Sequence, residues 1–323
     1  MAEGAWIIKE EINMKKLAAL ILALMMVFGI QALASAEEGP TNLAVAEKYY
    51  ERTVTGGEIE QKYAARGPYE VSSLTAPAFE NYQQYLLYYP TEITETEDKY
   101  PVVIFSNGTG IKGSTYTPIM EHLASWGFIV IGTDEEFSWN GFSSEMCLRL
   151  LIKVNDGKDF PIAEVNPFYG KVDLDKIGVS GHSQGGVGVI NAATDTNHGY
   201  MIKTIYSASP TNKELAHGLE WDFDATKIVV PTFLISSTGF ADENLVINLE
   251  QLGAIFTDVS SDIKLMARRN DGDHGDMLSF PDGYMTAWFM WQLKDDEDAA
   301  NAFVGEQAEI LNNSYYQDIE KTF

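Results

Sequence analysis

Residues 176–193 read KIGVSGHSQGGVGVINAA. A short β-branched run ends in Gly181-His182-Ser183-Gln184-Gly185, and a small-residue segment of helical character follows. G-x-S-x-G between a strand and a helix is the pattern of a nucleophile elbow. The sharp turn forces its serine into strained backbone geometry, so the positions two places either side must be nearly free of side chain. Gly181 and Gly185 meet that need. Ser183 Oγ is then presented at a strand tip, above a helix N-terminus whose peptide dipoles favour developing negative charge. The alternative is a tight glycine turn without chemistry; the strand–turn–helix context selects Ser183 as nucleophile.

A serine hydroxyl is a poor nucleophile near neutral pH and needs a positioned base. The chain has five histidines, which allows elimination. His122 falls inside a helical pattern. His182 occupies the variable elbow position, where it can line the site but hardly reach its neighbour's Oγ. His198 falls between a helix and a strand, and His217 precedes Gly218 at a helix end. His274, in Asn270-Asp271-Gly272-Asp273-His274-Gly275-Asp276, follows the last expected parallel strand in a glycine-rich loop, and is selected as base. The aspartates of that loop do not match a calcium-loop pattern, since Gly275 stands at a ligand position and no glutamate follows where one is required. They read as a solvated acidic loop, and no metal is expected.

The acid that orients the imidazole should follow the preceding strand. Asp242, in Ser236-Ser237-Thr238-Gly239-Phe240-Ala241-Asp242, has that place; Glu243 is its nearest rival, with Asp222 and Asp224 behind. Ser183, Asp242 and His274 then run in the chain order of an α/β-hydrolase. An oxyanion hole takes one N–H from the residue after the nucleophile, here Gln184, and one from the loop after the third strand. Thr109 in Ser106-Asn107-Gly108-Thr109-Gly110 is the expected second donor, with Gly110 as the alternative.

Outward from the elbow, strand patterns at 82–89, 102–106, 128–133, 176–180, 202–207, 228–236 and 263–267 alternate with helical patterns at 115–126, 143–154, 184–193, 241–253 and 284–294. Strands separated by helix-length segments require crossover connections, hence a mostly parallel sheet of about eight or nine strands with helices on both faces. Residues 68–90 look antiparallel by proximity. No insertion resembles a large lid. The acidic stretch Asp295-Asp296-Glu297-Asp298 reads as a solvated helix start, and the sequons at Asn107 and Asn312 as chance matches.

The whole chain of 323 residues carries 47 acidic against 22 basic residues, a formal charge of −25. Such a field opposes nucleic acid and acidic lipid surfaces. The single cysteine, Cys147, cannot form an internal disulfide, and its apolar helical neighbours make it a packing residue. Residues 14–36, MKKLAALILALMMVFGIQALASA, have the basic start, apolar stretch and small-x-small end of a secretory signal peptide. Residues 1–13 read as an upstream extension, 37–66 as an N-terminal segment, 67–305 as the catalytic domain and 306–323 as a C-terminal tail. Leader and extension together hold equal numbers of acidic and basic residues, so their removal leaves the negative charge intact. The expected product is a secreted monomer without a stable membrane anchor.

With these motifs assembled, the chain from about Gly67 to Val304 resembles the α/β-hydrolase superfamily, and within it the bacterial cutinase and polyester-hydrolase (PET hydrolase-like) group. The likeness is carried by Gly67-Pro68-Tyr69, Tyr88-Tyr89-Pro90, Pro101-Val102-Val103, Leu123-Ala124-Ser125-Trp126-Gly127-Phe128, GHSQGG at 181–186 and Pro231-Thr232. It implies a secreted, cofactor-free serine esterase acting on neutral ester or polyester substrates. Acetylhydrolase-like and chlorophyllase-like esterases share the scaffold and are the alternative, without polymer activity. A peptidase or thioesterase, or a non-catalytic binding protein, are remoter readings. The group usually has methionine where this chain has Gln184, which implies a more polar acyl pocket. It has Pro-Trp where this chain has Pro210-Thr211, so Thr211 would line the site without an aromatic wall and Trp139 is a candidate substitute. An aromatic usually replaces Thr109, and the group's C-terminal disulfide is absent.

Overall fold

The computed structural model describes residues 48–51, 53–78, 82–157 and 166–323. The extension at 1–13 and the leader at 14–36 lie outside the described residues. In chain order the first elements are α1 (Glu58–Ala64), β1 (Val71–Ala76), β2 (Tyr85–Pro90), β3 (Tyr100–Ser106), α2 (Thr117–Ser125), β4 (Ile129–Thr133) and α3 (Phe142–Asn155). There follow β5 (Val172–His182), α4 (Gln184–Thr194), β6 (Ile202–Ala208), α5 (Lys213–Gly218), β7 (Thr232–Ser237), α6 (Leu249–Asp258), β8 (Lys264–Arg269), α7 (Asp282–Lys294) and β9 (Tyr316–Lys321).

The strands form one sheet in the order β1-β2-β4-β3-β5-β6-β7-β8-β9. From β4 to β8 every neighbouring pair is parallel; β1, β2 and β9 are antiparallel edges. This is the α/β-hydrolase fold that the spacing of strands and helices anticipates. Central strands are buried on both faces, so they read as continuous apolar runs. Alternate residues still part to opposite sides: Val103 and Phe105 join the core under α2 and α7, while Val102 and Ile104 join the core under α3, α4 and α6. Cys147 is buried in the second of these cores. No helix among the described residues is long and apolar enough to cross a membrane.

Several boundaries differ from the sequence reading: the strand expected over 82–89 is Tyr85–Pro90, that over 176–180 runs Val172–His182, and that over 228–236 begins at Thr232. Three further differences have a plain physical cause. The helix expected over 241–253 is broken. Residues Asp242–Val246 make a single wide turn, and α6 starts afresh behind Asn248, whose side chain accepts from Gln251 N–H (3.0 Å) while Gln251 Oε1 accepts from Asn248 N–H (3.0 Å). A capping box ends one element and starts another without disturbing apolar periodicity, so the periodicity hid it. The strand expected over 263–267 runs on through Arg268 and Arg269. Ion pairs with Glu243 and Asp318, and with Glu60 and Asp271, make those two buried charges tolerable there. The segment expected as a tail, 306–323, supplies β9, paired with β8. An edge strand that faces water on one side carries little apolar alternation, and only Tyr316 and Ile319 in it are apolar.

Candidate active site

Parallel register brings the strand ends to one edge of the sheet. Ser106 lies opposite Gly181, His182 opposite Ala208, and Ser237 opposite Arg269. At the tip of β5 the backbone of Ser183 has φ 59° and ψ −120°, a conformation that side chains disfavour. The turn persists because its surroundings overdetermine it: Ser183 N–H donates to Ala208 O (2.9 Å), and Ser183 O accepts from Gly186 N–H (2.9 Å). A Cβ on Gly181 would stand 2.3 Å from Gly185 O, and one on Gly185 would stand 2.1 Å from Ser106 O. The two glycines inferred from the motif are therefore required by close backbone packing.

Asp242 and His274 meet across adjacent loops. His274 Nδ1 lies 2.7 Å from Asp242 Oδ1, with both side chains buried. An ionised carboxylate only accepts, so Nδ1 carries the hydrogen and Nε2 is left as the basic nitrogen. The second oxygen, Oδ2, accepts from Ser209 Oγ (2.5 Å), Ser237 N–H (2.7 Å) and Ser237 Oγ (2.9 Å). Burial would by itself raise the Asp242 carboxyl; His274, followed by Ser209 and Ser237, holds it below its ordinary value. Ser209 and Ser237 were not singled out in the sequence, where serines at strand ends give no distinguishing signal.

The rivals are occupied elsewhere. Glu243 pairs with Arg268, Asp222 with His217 (2.7 Å), and Asp224 caps the turn at Thr226. His122 is buried beside Asp282 (2.6 Å) and Ala65 O (2.8 Å), and His198 pairs with Glu145 (2.8 Å). The loop aspartates are not the solvated set expected from composition. Asp271 holds Arg269 (2.7 Å), while Asp273 and Asp276 cap the turn that carries His274. Among the described residues, no group of histidine, cysteine and carboxylate side chains is placed to hold a metal ion.

On the opposite side of Ser183, the loop after β3 is bracketed by the loop after β4. Asn107 Nδ2 donates to Thr133 O and Glu135 O (2.7 Å each), Ser138 Oγ donates to Asn107 O (2.7 Å), and Gly108 N–H is taken by the buried Tyr116 hydroxyl (3.1 Å). Gly110 N–H donates to Glu136 O (2.8 Å), so Gly110 has no donor to spare. Gln184 opens α4, where the first N–H groups have no intrahelical acceptor. Its side chain does not polarise an acyl pocket, contrary to expectation. It is wholly buried, and Oε1 accepts Ser138 N–H (2.8 Å), tying the start of α4 to the bracketing loop.

His182 is also buried. Its Nε2 donates to His274 O (2.8 Å), and the two rings lie 4.5 Å apart, which sets the histidine loop directly against the residue that precedes Ser183. Burial first, then the neighbouring His274, pushes the His182 imidazole down to about 3. In an unfolded chain it returns to about 6.5. The unfolded state thus binds a proton more readily through that window, so the stability this group contributes is complete above about pH 6.5 and drains away as pH falls. Melting temperatures measured from about pH 7 down to about pH 4 should fall less steeply for His182→Gln than for the parent chain; parallel curves would refute this titration.

Thr211 is only 3% exposed and presents almost no surface to a ligand. Trp139 is half-buried on the bracketing loop, its carbonyl accepting from Asn191 Nδ2 (2.9 Å). Exposed aromatics stand nearby in sequence to both site loops: Phe137 beside Ser138, and Phe240 beside Ala241. Among families of known proteins, the one described as PET hydrolase-like (PETase) matches residues 46–317, more than four-fifths of the chain. The match extends beyond the stretch of resemblance noted in the sequence, taking in α1 and the start of β9. A search of curated proteins gives no match.

Proposed function

This chain belongs to the PET hydrolase-like family and is a carboxylic-ester hydrolase at that level of description; on that footing we propose that it is a secreted serine esterase of cutinase type. His274 Nε2 takes the proton of Ser183 Oγ as the oxygen attacks the ester carbonyl carbon. The N–H groups of Gln184 and Thr109 receive the resulting oxyanion. As the ester C–O bond breaks, His274 returns the proton to the departing alcohol, leaving an acyl group on Ser183. Water then attacks the acyl carbon, gives a proton to His274, and the carboxylic acid leaves as Ser183 recovers its hydrogen. Asp242 holds the imidazole in the productive tautomer and offsets its charge in each transition state.

The observation that carries this reading is the 2.7 Å hydrogen bond between Asp242 and His274, on a loop seated against the elbow of Ser183. Thr211 is buried where the group places an indole wall, which favours aliphatic over aromatic acyl groups. The leader at 14–36 supports export, and the charge of −25 supports a neutral substrate. A fluorophosphonate probe should label Ser183, and a substrate panel should give hydrolysis of short nitrophenyl esters and aliphatic polyesters above aromatic polyesters. Absence of both labelling and ester cleavage would end the serine-esterase reading. Cleavage confined to soluble short esters would move the chain to the acetylhydrolase-like alternative.

A further inference from the structure

The sheet stops short of the two loops that matter. Ser237 and Arg269 are the last paired residues of β7 and β8, and Thr238 N–H to Arg269 O (2.8 Å) is the last main-chain hydrogen bond between the two strands and the loops that leave them among the described residues. Asp242 and His274 lie beyond it, on separate loops. Between them the Asp273 carboxylate takes over. Its Oδ1 accepts from His274 N–H (2.7 Å), Ala241 N–H (2.8 Å) and, at longer range, Asp242 N–H (3.3 Å), and Oδ2 accepts a second time from Ala241 N–H (3.1 Å). One charged side chain thus joins the backbones of both loops, through bonds stronger than those between neutral groups.

This bridge is itself fixed. Asp273 N–H donates to Asp276 Oδ2 (2.8 Å), and Asp276 N–H donates to Asp273 O (2.8 Å). The approach needs a glycine on the facing loop, because a Cβ at Gly239 would stand 2.5 Å from Asp273 Cγ. We propose that Asp273 is a positioning residue for the hydrolytic reaction. It acts through the spacing of the two loops, setting the distance at which Asp242 meets the His274 imidazole. The proposal rests on His274 being the base, as argued above.

Displacement of a reacting group by about 1 Å can cost about a hundredfold in rate. Asp273→Ala is therefore expected to lower kcat about 10- to 100-fold with KM within about twofold of the parent. The far-downfield proton resonance of His274 Nδ1, the spectroscopic mark of its bond to Asp242, should broaden or vanish. Asp273→Asn keeps a carbonyl oxygen in the place of Oδ1, so it should retain the resonance and recover kcat to within about fivefold of the parent. Gly239→Ala, which forces the loops apart from the other side, should copy the alanine variant and decides the matter if Asp273→Ala does not fold. Parent-like kcat and resonance in Asp273→Ala, a rise in KM that accounts for its loss, or an asparagine variant as poor as alanine would each overturn the proposal. A parent chain inert toward every ester would sink the esterase reading instead, and the resonance would still report on the bridge.

Discussion

Ser183→Ala is expected to lower kcat about 10⁴- to 10⁶-fold and to leave the melting temperature nearly unchanged. The size of the loss follows from covalent catalysis. In the proposed mechanism, without Oγ no acyl-enzyme would form and the His274–Asp242 pair would have no proton to take; what would persist is oxyanion stabilisation of direct water attack. The small stability effect follows from the side chain's setting: Ser183 makes no capping hydrogen bond to the helix that it precedes and is only half-buried. Backbone strain at φ 59° and ψ −120° is shared by serine and alanine. Glycine relieves it, so Ser183→Gly should be equally inactive yet more stable than Ser183→Ala by about 1 kcal/mol. Equal stability of the two variants would mean that the elbow stores no strain. Residual activity within tenfold of the parent would assign the nucleophile to another residue.

Arg269→Met is expected to cost about 3–5 kcal/mol, a large share of the total stability of an ordinary domain. The guanidinium is wholly buried. Nη1 donates to Glu60 Oε1 (2.9 Å), Tyr316 Oη (2.8 Å) and Phe280 O (3.0 Å), Nη2 to Val54 O (2.7 Å), and Nε to Asp271 Oδ1 (2.7 Å). It therefore ties the segment before α1, strand β9 and the histidine loop to the end of β8. Glu60 is equally buried, and burial already pushes its carboxyl above the ordinary range against the pull of Arg269. Removing the guanidinium leaves an uncompensated carboxyl that must take up a proton or draw in water. Adding Glu60→Leu removes that orphan too, so the double variant should recover more than half of the loss. Chemical denaturation of the four proteins in the cycle measures this; strict additivity would show that Arg269 and Glu60 do not depend on each other.

The elbow was legible because its requirements are local. A strand, a turn that excludes side chains and a helix are all encoded within 176–193, and a Cβ on Gly181 or Gly185 would stand only 2.3 or 2.1 Å from backbone oxygen, as the motif demands. That Asp242 and His274 would face each other was legible through order along the chain, since each follows a recognisable strand. The partners Ser209, Ser237 and Asp273 were not, because nothing in a serine or an aspartate near a strand end announces which distant N–H or carboxylate it will face. Gln184 misled for the same reason: its identity is plain in the sequence, but its side chain turns inward to Ser138. Arg268 and Arg269 hid the end of β8, and the polar pattern of β9 hid an edge strand, because their stability comes from partners far away in the chain.

By itself the sequence determined the alternation of strands and helices, the parallel core, the nucleophile elbow and the order of the candidate acid and base. Periodicity, glycine placement and strand spacing are properties of neighbouring residues, so one dimension carries them. Only the tertiary structure decided that Glu243 belongs to Arg268 while Asp242 belongs to His274, that Gly110 has spent its N–H, and that Asp273 joins two loops where the sheet has ended. Those outcomes depend on hydrogen-bond competition among groups brought together by folding, where a difference of an ångström or a change of facing decides which acceptor a donor meets.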